Sequence, residues 1–167
     1  LQTLDEAVAG TGMWAAAKVY PLYEAELAKV GKIDFDDMLL KSYDLLKDMP
    51  YALDLARCTW SSFLVDECQD TNIAQWQILR LLAPPENDPN VTIVGDPRQA
   101  IYTFRGARPE QLWEFQKSYG AKVVNLVKNY RSTSQVVHGA NSLIKGMAMP
   151  DQVSHRGEGH GITLGVF

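Results

Sequence analysis

Apolar and polar residues follow two periods along this chain, and the switches between them lay out helices and short strands. Residues 13–30, "MWAAAKVYPLYEAELAKV", have helix-forming composition, with Pro21 as an interruption and Gly31 as a stop. From Asp34, "DFDDMLLKSYDLL" sets Phe35, Met38, Leu39, Tyr43 and Leu46 on one helical stripe. Its acidic residues crowd the first turn, where the helix dipole favours them and where they suit either a cap or a direct role in chemistry. Three β-type runs follow: "FLVD" at 63–66, "VTIVGD" at 91–96 and "KVVNLV" at 122–127. Helical stretches separate them. "NIAQWQILRLLA" has Asp70 and Thr71 as cap candidates and Pro84-Pro85 as its stop, and "PEQLWEFQKSY" opens on Pro109 and closes at Gly120. A further helix is expected from Ser134 to Lys145, ending at Gly146, and residues 146–161 read as loop or linker. Strands alternating with helices predict an α/β fold with a parallel sheet flanked by helices.

Composition adds little to that picture. The 167 residues are 46% apolar, ordinary for a globular core. There is no secretory signal and no run of about 18 apolar residues, so a cytoplasmic location without membrane contact is expected. Cys58 and Cys68 lack the repeated spacing of a zinc site and read as reduced, core-type thiols. The chain opens on Leu1 and closes on the strand-like "GITLGVF", which suggests a piece of a longer protein.

Charge changes the picture more. Residues 1–90 carry 7 basic and 15 acidic side chains, net −8, whereas residues 91–167 carry 9 and 5, net +4. The overall charge of −4 disfavours a protein that coats nucleic acid by bulk electrostatics, but the second half can face a phosphate backbone.

The candidate chemistry lies at the strand ends. In an open parallel sheet, ligands bind at the carboxyl ends of the strands, where Asp66-Glu67 and Gly95-Asp96 fall. An adjacent acid pair divides labour well: one carboxylate holds Mg²⁺ while the next accepts a proton from an attacking water, with a phosphate chain across both. "VGDPRQAIYTFRGA", residues 94–107, then brings a glutamine, two aromatics and two arginines beside that pair. Glutamine and arginine suit phosphate oxygens, and flat aromatics suit unpaired bases. The usual companion of such acids, the loop G-x-x-x-x-G-K-[ST], occurs nowhere in the 167 residues.

Together these segments resemble the UvrD/Rep family of superfamily 1 DNA helicases, from about Ile33 to Gly146. "IDFDDMLL" is similar to that family's acidic helix start, "VDECQDTNIAQWQILRLLA" to its motif II, "VGDPRQAIYTFRGA" to motif III and "NYRST" to motif IV. The resemblance implies a partial RecA-like (P-loop NTPase) fold. Residues 1–30 would be a helical lead-in ending an inserted subdomain, 31–127 the C-terminal part of a first RecA-like domain and 128–167 the beginning of a second. It also implies ATP and Mg²⁺ as cofactors, single-stranded DNA or strand junctions as partner, repair or recombination proteins as further partners, and 3′ to 5′ movement along DNA.

By the same resemblance, Asp66 coordinates Mg²⁺, Glu67 is the general base and Gln99 senses the γ-phosphate. Arg131 is the finger-type arginine of the second domain, with Tyr130 packing on adenine, and Tyr102, Phe104 and Arg105 touch single-stranded DNA. Two departures stand out. The family often has tryptophan where Phe104 stands, and "PRQA" at 97–100 is closer to the RecB helicase subunit than to Rep. Without the phosphate loop the chain alone is expected not to hydrolyse ATP. The rival readings are a helicase-like module that only binds DNA or protein, and a metal-dependent nuclease built on Asp66, Glu67, Asp70 and Asp96. The nuclease lacks the lysine such sites place just behind their acids.

Overall fold

The computed structural model describes residues 13–147 and 149–163. Helix α1 (Trp14–Lys29) runs through Pro21, which interrupts nothing beyond its own missing N–H. The carbonyl it leaves lies on a helix with no buried residue, where water can serve it. α2 (Phe35–Asp48) is capped by Asp34, whose Oδ1 accepts from the Asp37 N–H at 2.8 Å. The expected apolar stripe holds in part, with Leu39, Tyr43 and Leu46 half-buried. Phe35 and Met38 are exposed, and the buried residue of the helix is Asp37, paired with Lys41. Lys41 also reaches Glu24 on α1 at 3.3 Å, and Tyr23 donates to Asp34 at 2.9 Å, so polar contacts rather than an apolar seam tie α1 to α2.

α3 (Pro50–Thr59) was not anticipated from the sequence, although Pro50 at its first turn is a conventional start. It anchors to the next helix through Arg57, whose Nε and Nη2 donate to the Leu81 carbonyl at 3.0 and 2.6 Å. β1 (Phe63–Val65) and β2 (Val91–Ile93) pair in parallel, with Phe63 opposite Val91 and Val65 opposite Ile93. Between them runs α4 (Ile73–Leu82). Its cap is Asn72, not Asp70 or Thr71, because Asn72 and Gln75 form a reciprocal capping box at 3.0 and 2.9 Å. That arrangement satisfies two otherwise orphaned N–H groups, and an N-cap is typically worth about 1 kcal/mol.

α5 (Gln111–Tyr119) starts two residues after Pro109 and ends on Gly120 at φ +59°, a left-handed stop that suits glycine. Its Phe115 stacks on Tyr119 with ring centroids 4.2 Å apart and tilts against Trp76 of α4 at 6.0 Å. Cys68, Trp76, Leu79, Ala83 and Phe115 form the core, with Phe63, Val65, Val91 and Ile93 packed on it from the sheet. The opposite face of β1 carries Leu64, 81% exposed. Full burial of a side chain such as Leu79 or Phe115 contributes roughly 1.5 to 3 kcal/mol.

The run at 122–127 forms no strand. Val123, Val124 and Leu126 are exposed, and extended apolar residues become a strand only where a neighbour supplies the ladder. The chain instead enters a second small sheet, in which β3 (Lys128–Asn129) pairs in parallel with β4 (Val153–Ser154). β4 lies inside the segment expected to be loop. Between these strands, α6 (Ser134–Leu143) stops before Gly146, which has φ +101°. The molecule is a mixed α/β structure with small parallel sheets and flanking helices. The strand-like reading of "GITLGVF" falls mainly outside the described residues.

Candidate functional site

β1 delivers Asp66 and Glu67 at its carboxyl end, both exposed. The Glu67 N–H donates to Asp66 Oδ1 at 2.9 Å, and Glu67 itself has φ +48° and ψ +43°. A left-handed glutamate costs on the order of 1 kcal/mol or more, so the turn after the strand is held there by its surroundings. Three contacts hold it. Cys68 N–H donates to the Val94 carbonyl at 3.0 Å, continuing the β1–β2 ladder, and Asp70 N–H donates to the Glu67 carbonyl at 2.9 Å. The third is Gln69, only 1% exposed, whose Nε2 donates to Glu67 Oε2 at 2.7 Å.

β2 ends at Gly95-Asp96 on the neighbouring strand. A Cβ on Gly95 would lie 2.8 Å from Gln69 Oε1 and 3.2 Å from Cys68 Cβ, so only glycine lets the two turns approach this closely. The Asp96 carboxylate is engaged in full. Oδ1 accepts from Arg98 N–H and Nε at 3.0 and 2.8 Å, and Oδ2 accepts from Arg98 Nη2 and Gln99 Nε2, each at 3.1 Å. Burial is the largest single influence on this carboxyl and raises its pKa. The Arg98 and Gln99 hydrogen bonds, with the Arg98 charge, outweigh burial and hold it below the usual carboxylate range. Arg98 Nη1 also donates to the Pro150 carbonyl at 3.2 Å, linking this loop to the segment before β4.

These contacts sort the acidic residues. Asp66 is an exposed carboxylate at a strand end, suited to a hard divalent cation shared with a polyanion and water. Asp96 is committed to Arg98 and Gln99. Asp70 has one carboxylate oxygen buried without a hydrogen-bond partner and caps no helix. Among the described residues no three His, Cys, Asp or Glu side chains come together as a ligand cluster, so the four-acid site of a nuclease is not assembled. Both cysteines are free thiols, but only one is core-type. Cys58 is exposed, while Cys68 is fully buried and burial pushes its thiol up to about 11, partly offset by Thr71.

Beyond Gln99 the loop turns outward. Tyr102 and Phe104 stand with ring centroids 6.1 Å apart, and the Arg105 guanidinium lies 5.2 Å from the first ring and 5.6 Å from the second. Phe104 is 77% exposed, so this cluster is a surface feature and not core. The loop is anchored behind the aromatics, where Arg108 N–H donates to the Thr71 carbonyl at 3.2 Å. An aromatic pair with a guanidinium on its faces can stack flat, electron-rich rings and contact phosphate.

Tyr130 and Arg131 follow β3. Tyr130 is exposed, with the His155 ring edge-on at 5.0 Å and Lys128 Nζ 5.2 Å from its ring centre. Asn129 Oδ1 accepts from the N–H groups of Arg131 and Ser132 at 3.0 and 2.9 Å, and the Arg131 carbonyl accepts from Arg156 at 2.9 Å. The backbone of Arg131 is therefore pinned while its side chain lies exposed. The structure brings Glu67 and Gln99 into one hydrogen-bonded group, by way of Gln69 and Asp96. No hydrogen bond or ion pair among the described residues joins the Arg131 side chain to that group. Sequence reading did not single out Gln69 or Arg156, and Arg98, one of the two arginines suited to phosphate oxygens, is instead committed to Asp96. The Arg98–Asp96 ion pair has a local signal, a basic residue two positions after an acid, whereas Asp96, the second partner of Gln69 beside the nearby Glu67, lies 27 residues away.

A parallel-stranded α/β unit with a carboxylate pair at one strand end, and a glutamine and aromatic loop at the next, gathers its polar groups where open parallel sheets bind ligands. Residues 4–120 match the model of the UvrD/REP helicase N-terminal domain. The chain belongs to that family. It is 39% identical over 147 residues to the ATP-dependent DNA helicase PcrA of Leuconostoc citreum, a match covering 86% of this chain and 19% of that protein. It is 40% identical over 129 residues to DNA helicase II of Escherichia coli (strain K12), covering 77% of this chain and 18% of the relative. DNA helicase II of Haemophilus influenzae is 37% identical over 127 residues. The chain thus spans less than a fifth of the length of these relatives. None of its described helices is long and apolar enough to cross a membrane.

Proposed function

We propose that this chain is part of an ATP-dependent DNA helicase that couples Mg-ATP hydrolysis to movement along single-stranded DNA, in the 3′ to 5′ direction, in DNA repair, replication or recombination. One observation carries the reading. In a member of the UvrD/REP family, Glu67 and Gln99 are joined in one hydrogen-bonded group, and the same loop a few residues on presents Tyr102, Phe104 and Arg105 to solvent. Residues 31–127 are then the C-terminal part of a first RecA-like domain, residues 128–167 open a second, and residues 1–30 close an inserted helical subdomain.

In this reading ATP lies across the strand ends. Mg²⁺, held by Asp66 together with phosphate oxygens and water, would neutralise charge on the phosphates. Glu67 takes the proton of the attacking water, Gln99 contacts the γ-phosphate, and Arg131 and Tyr130 approach from the second domain. Release of phosphate frees Gln99, and the shift passes along the few residues that follow it to the aromatic pair, changing the grip on the strand. The 167-residue chain contains no phosphate loop and by itself is inactive.

Hydrolysis by the full-length protein, measured with and without single-stranded DNA, tests the reading. Stimulation by DNA is expected. DNA binding with no hydrolysis at all would replace the motor with a binding module. Phe104→Ala should weaken single-strand affinity about five- to 150-fold, the equivalent of the ~1 to 3 kcal/mol that base stacking contributes. Because the ring is exposed, stability should stay within ~0.5 kcal/mol. Unchanged affinity in a fluorescence-anisotropy titration would remove Phe104 from the DNA surface.

A further inference from the structure

Gln69 lies between the two loops of the site and makes a different bond to each. Its Nε2 donates to the Glu67 carboxylate at 2.7 Å, and its Oε1 accepts from the Asp96 N–H at 3.0 Å. These partners fix the orientation of the amide. The flipped group would set an acceptor against a carboxylate and a donor against an N–H. The side chain has no room to adopt another pose, being 1% exposed and lying where a Cβ on Gly95 would come within 2.8 Å of its oxygen. On the far side, the Asp96 carboxylate holds Gln99 Nε2 at 3.1 Å. A continuous path of hydrogen bonds therefore runs from Glu67 through Gln69 and Asp96 to Gln99.

We propose that Gln69 is a positioning residue: it aims the Glu67 carboxylate and locks that aim to the Asp96–Gln99 loop, so that the proton acceptor and the phosphate contact move as one unit. This rests on the nucleotide-site reading above, and it extends that reading to a residue that touches neither water nor phosphate. A buried amide is the right group for the task. It carries no charge that would compete with the reacting phosphates, and it offers a donor and an acceptor held rigidly apart on one plane. Its bond to a carboxylate is charge-assisted, and so stronger than a neutral one. A left-handed Glu67 has no helix or strand to orient its side chain, so the aim has to come from a partner of this kind.

Two variants in the full-length protein separate the halves of the link. Gln69→Met keeps the volume and loses both bonds. Gln69→Glu keeps an acceptor for the Asp96 N–H and turns a carboxylate oxygen towards Glu67. Both should lower kcat for DNA-stimulated ATP hydrolysis at least tenfold while leaving KM for ATP within threefold. Without nucleotide, hydrogen exchange at the Asp96 amide should speed up at least tenfold in Gln69→Met and stay slow in Gln69→Glu. Unaltered exchange of the α4 amides would show that the fold is intact. If both variants keep kcat within twofold of the parent, or if Gln69→Met leaves Asp96 exchange unchanged, the assignment is overturned. A parent protein that never hydrolyses ATP would defeat the functional reading instead, and faster Asp96 exchange in Gln69→Met would still uphold the link between the loops.

Discussion

In the full-length protein, Glu67→Gln should bind Mg-ATP as the parent does and lose DNA-stimulated hydrolysis by a factor of about 10² to 10⁴, the usual contribution of a positioned general base. The geometry makes this substitution unusually clean. Glu67 is exposed, so no buried charge is lost, and a glutamine oxygen can still accept from Gln69 Nε2. The backbone stays in its left-handed turn, anchored by Asp66 Oδ1 and by the ladder bond from Cys68. What disappears is the ability to take a proton. Nucleotide affinity from equilibrium titration and kcat from steady-state hydrolysis should therefore part company. Hydrolysis within threefold of the parent would remove Glu67 from the role of base.

Arg131→Ala should cost about as much or more, on the order of 10³ to 10⁵ in turnover, the range for an arginine that stabilises charge in phosphoryl transfer. Asn129 and Arg156 fix the main chain on both sides of Arg131, while its guanidinium lies exposed. Such a side chain is set to reach a ligand without first breaking an ion pair. Lysine should not rescue, because a point charge on a flexible stem does not reproduce the planar fork. Single-turnover measurements at saturating ATP should report the loss in the chemical step. A loss confined to KM would make Arg131 a binding residue only.

How far the sequence foretold these sites follows from what each signal depends on. The strands at 63–65 and 91–93 were legible because apolar runs ending in acids are local patterns, and the two happen to be neighbours. The run at 122–127 has the same composition and forms no strand, since pairing is a property of what lies alongside. Asn72 takes the cap from Asp70 and Thr71 because Gln75 answers it, a reciprocity that the residues themselves carry. Asp37 is buried where the pattern predicts Phe35 and Met38, and its ion-pair partner is Lys41, which also bonds Glu24 of α1. In the site, Asp66, Glu67, Gln99 and the aromatics were named from motifs. Gln69 lies inside one of them without a mark of its own, since nothing local distinguishes a structural glutamine from a solvated one. Its meaning comes from Asp96 and Gly95, brought close by the β1–β2 pairing.

The left-handed backbone at Glu67 sets stability and usefulness against each other. Glycine or asparagine would relax that conformation, and a selection for thermal tolerance that ignored activity would drift towards them. Sequences optimised for heat resistance alone would be expected to discard the side chain proposed as the proton acceptor, and to look improved for having done so.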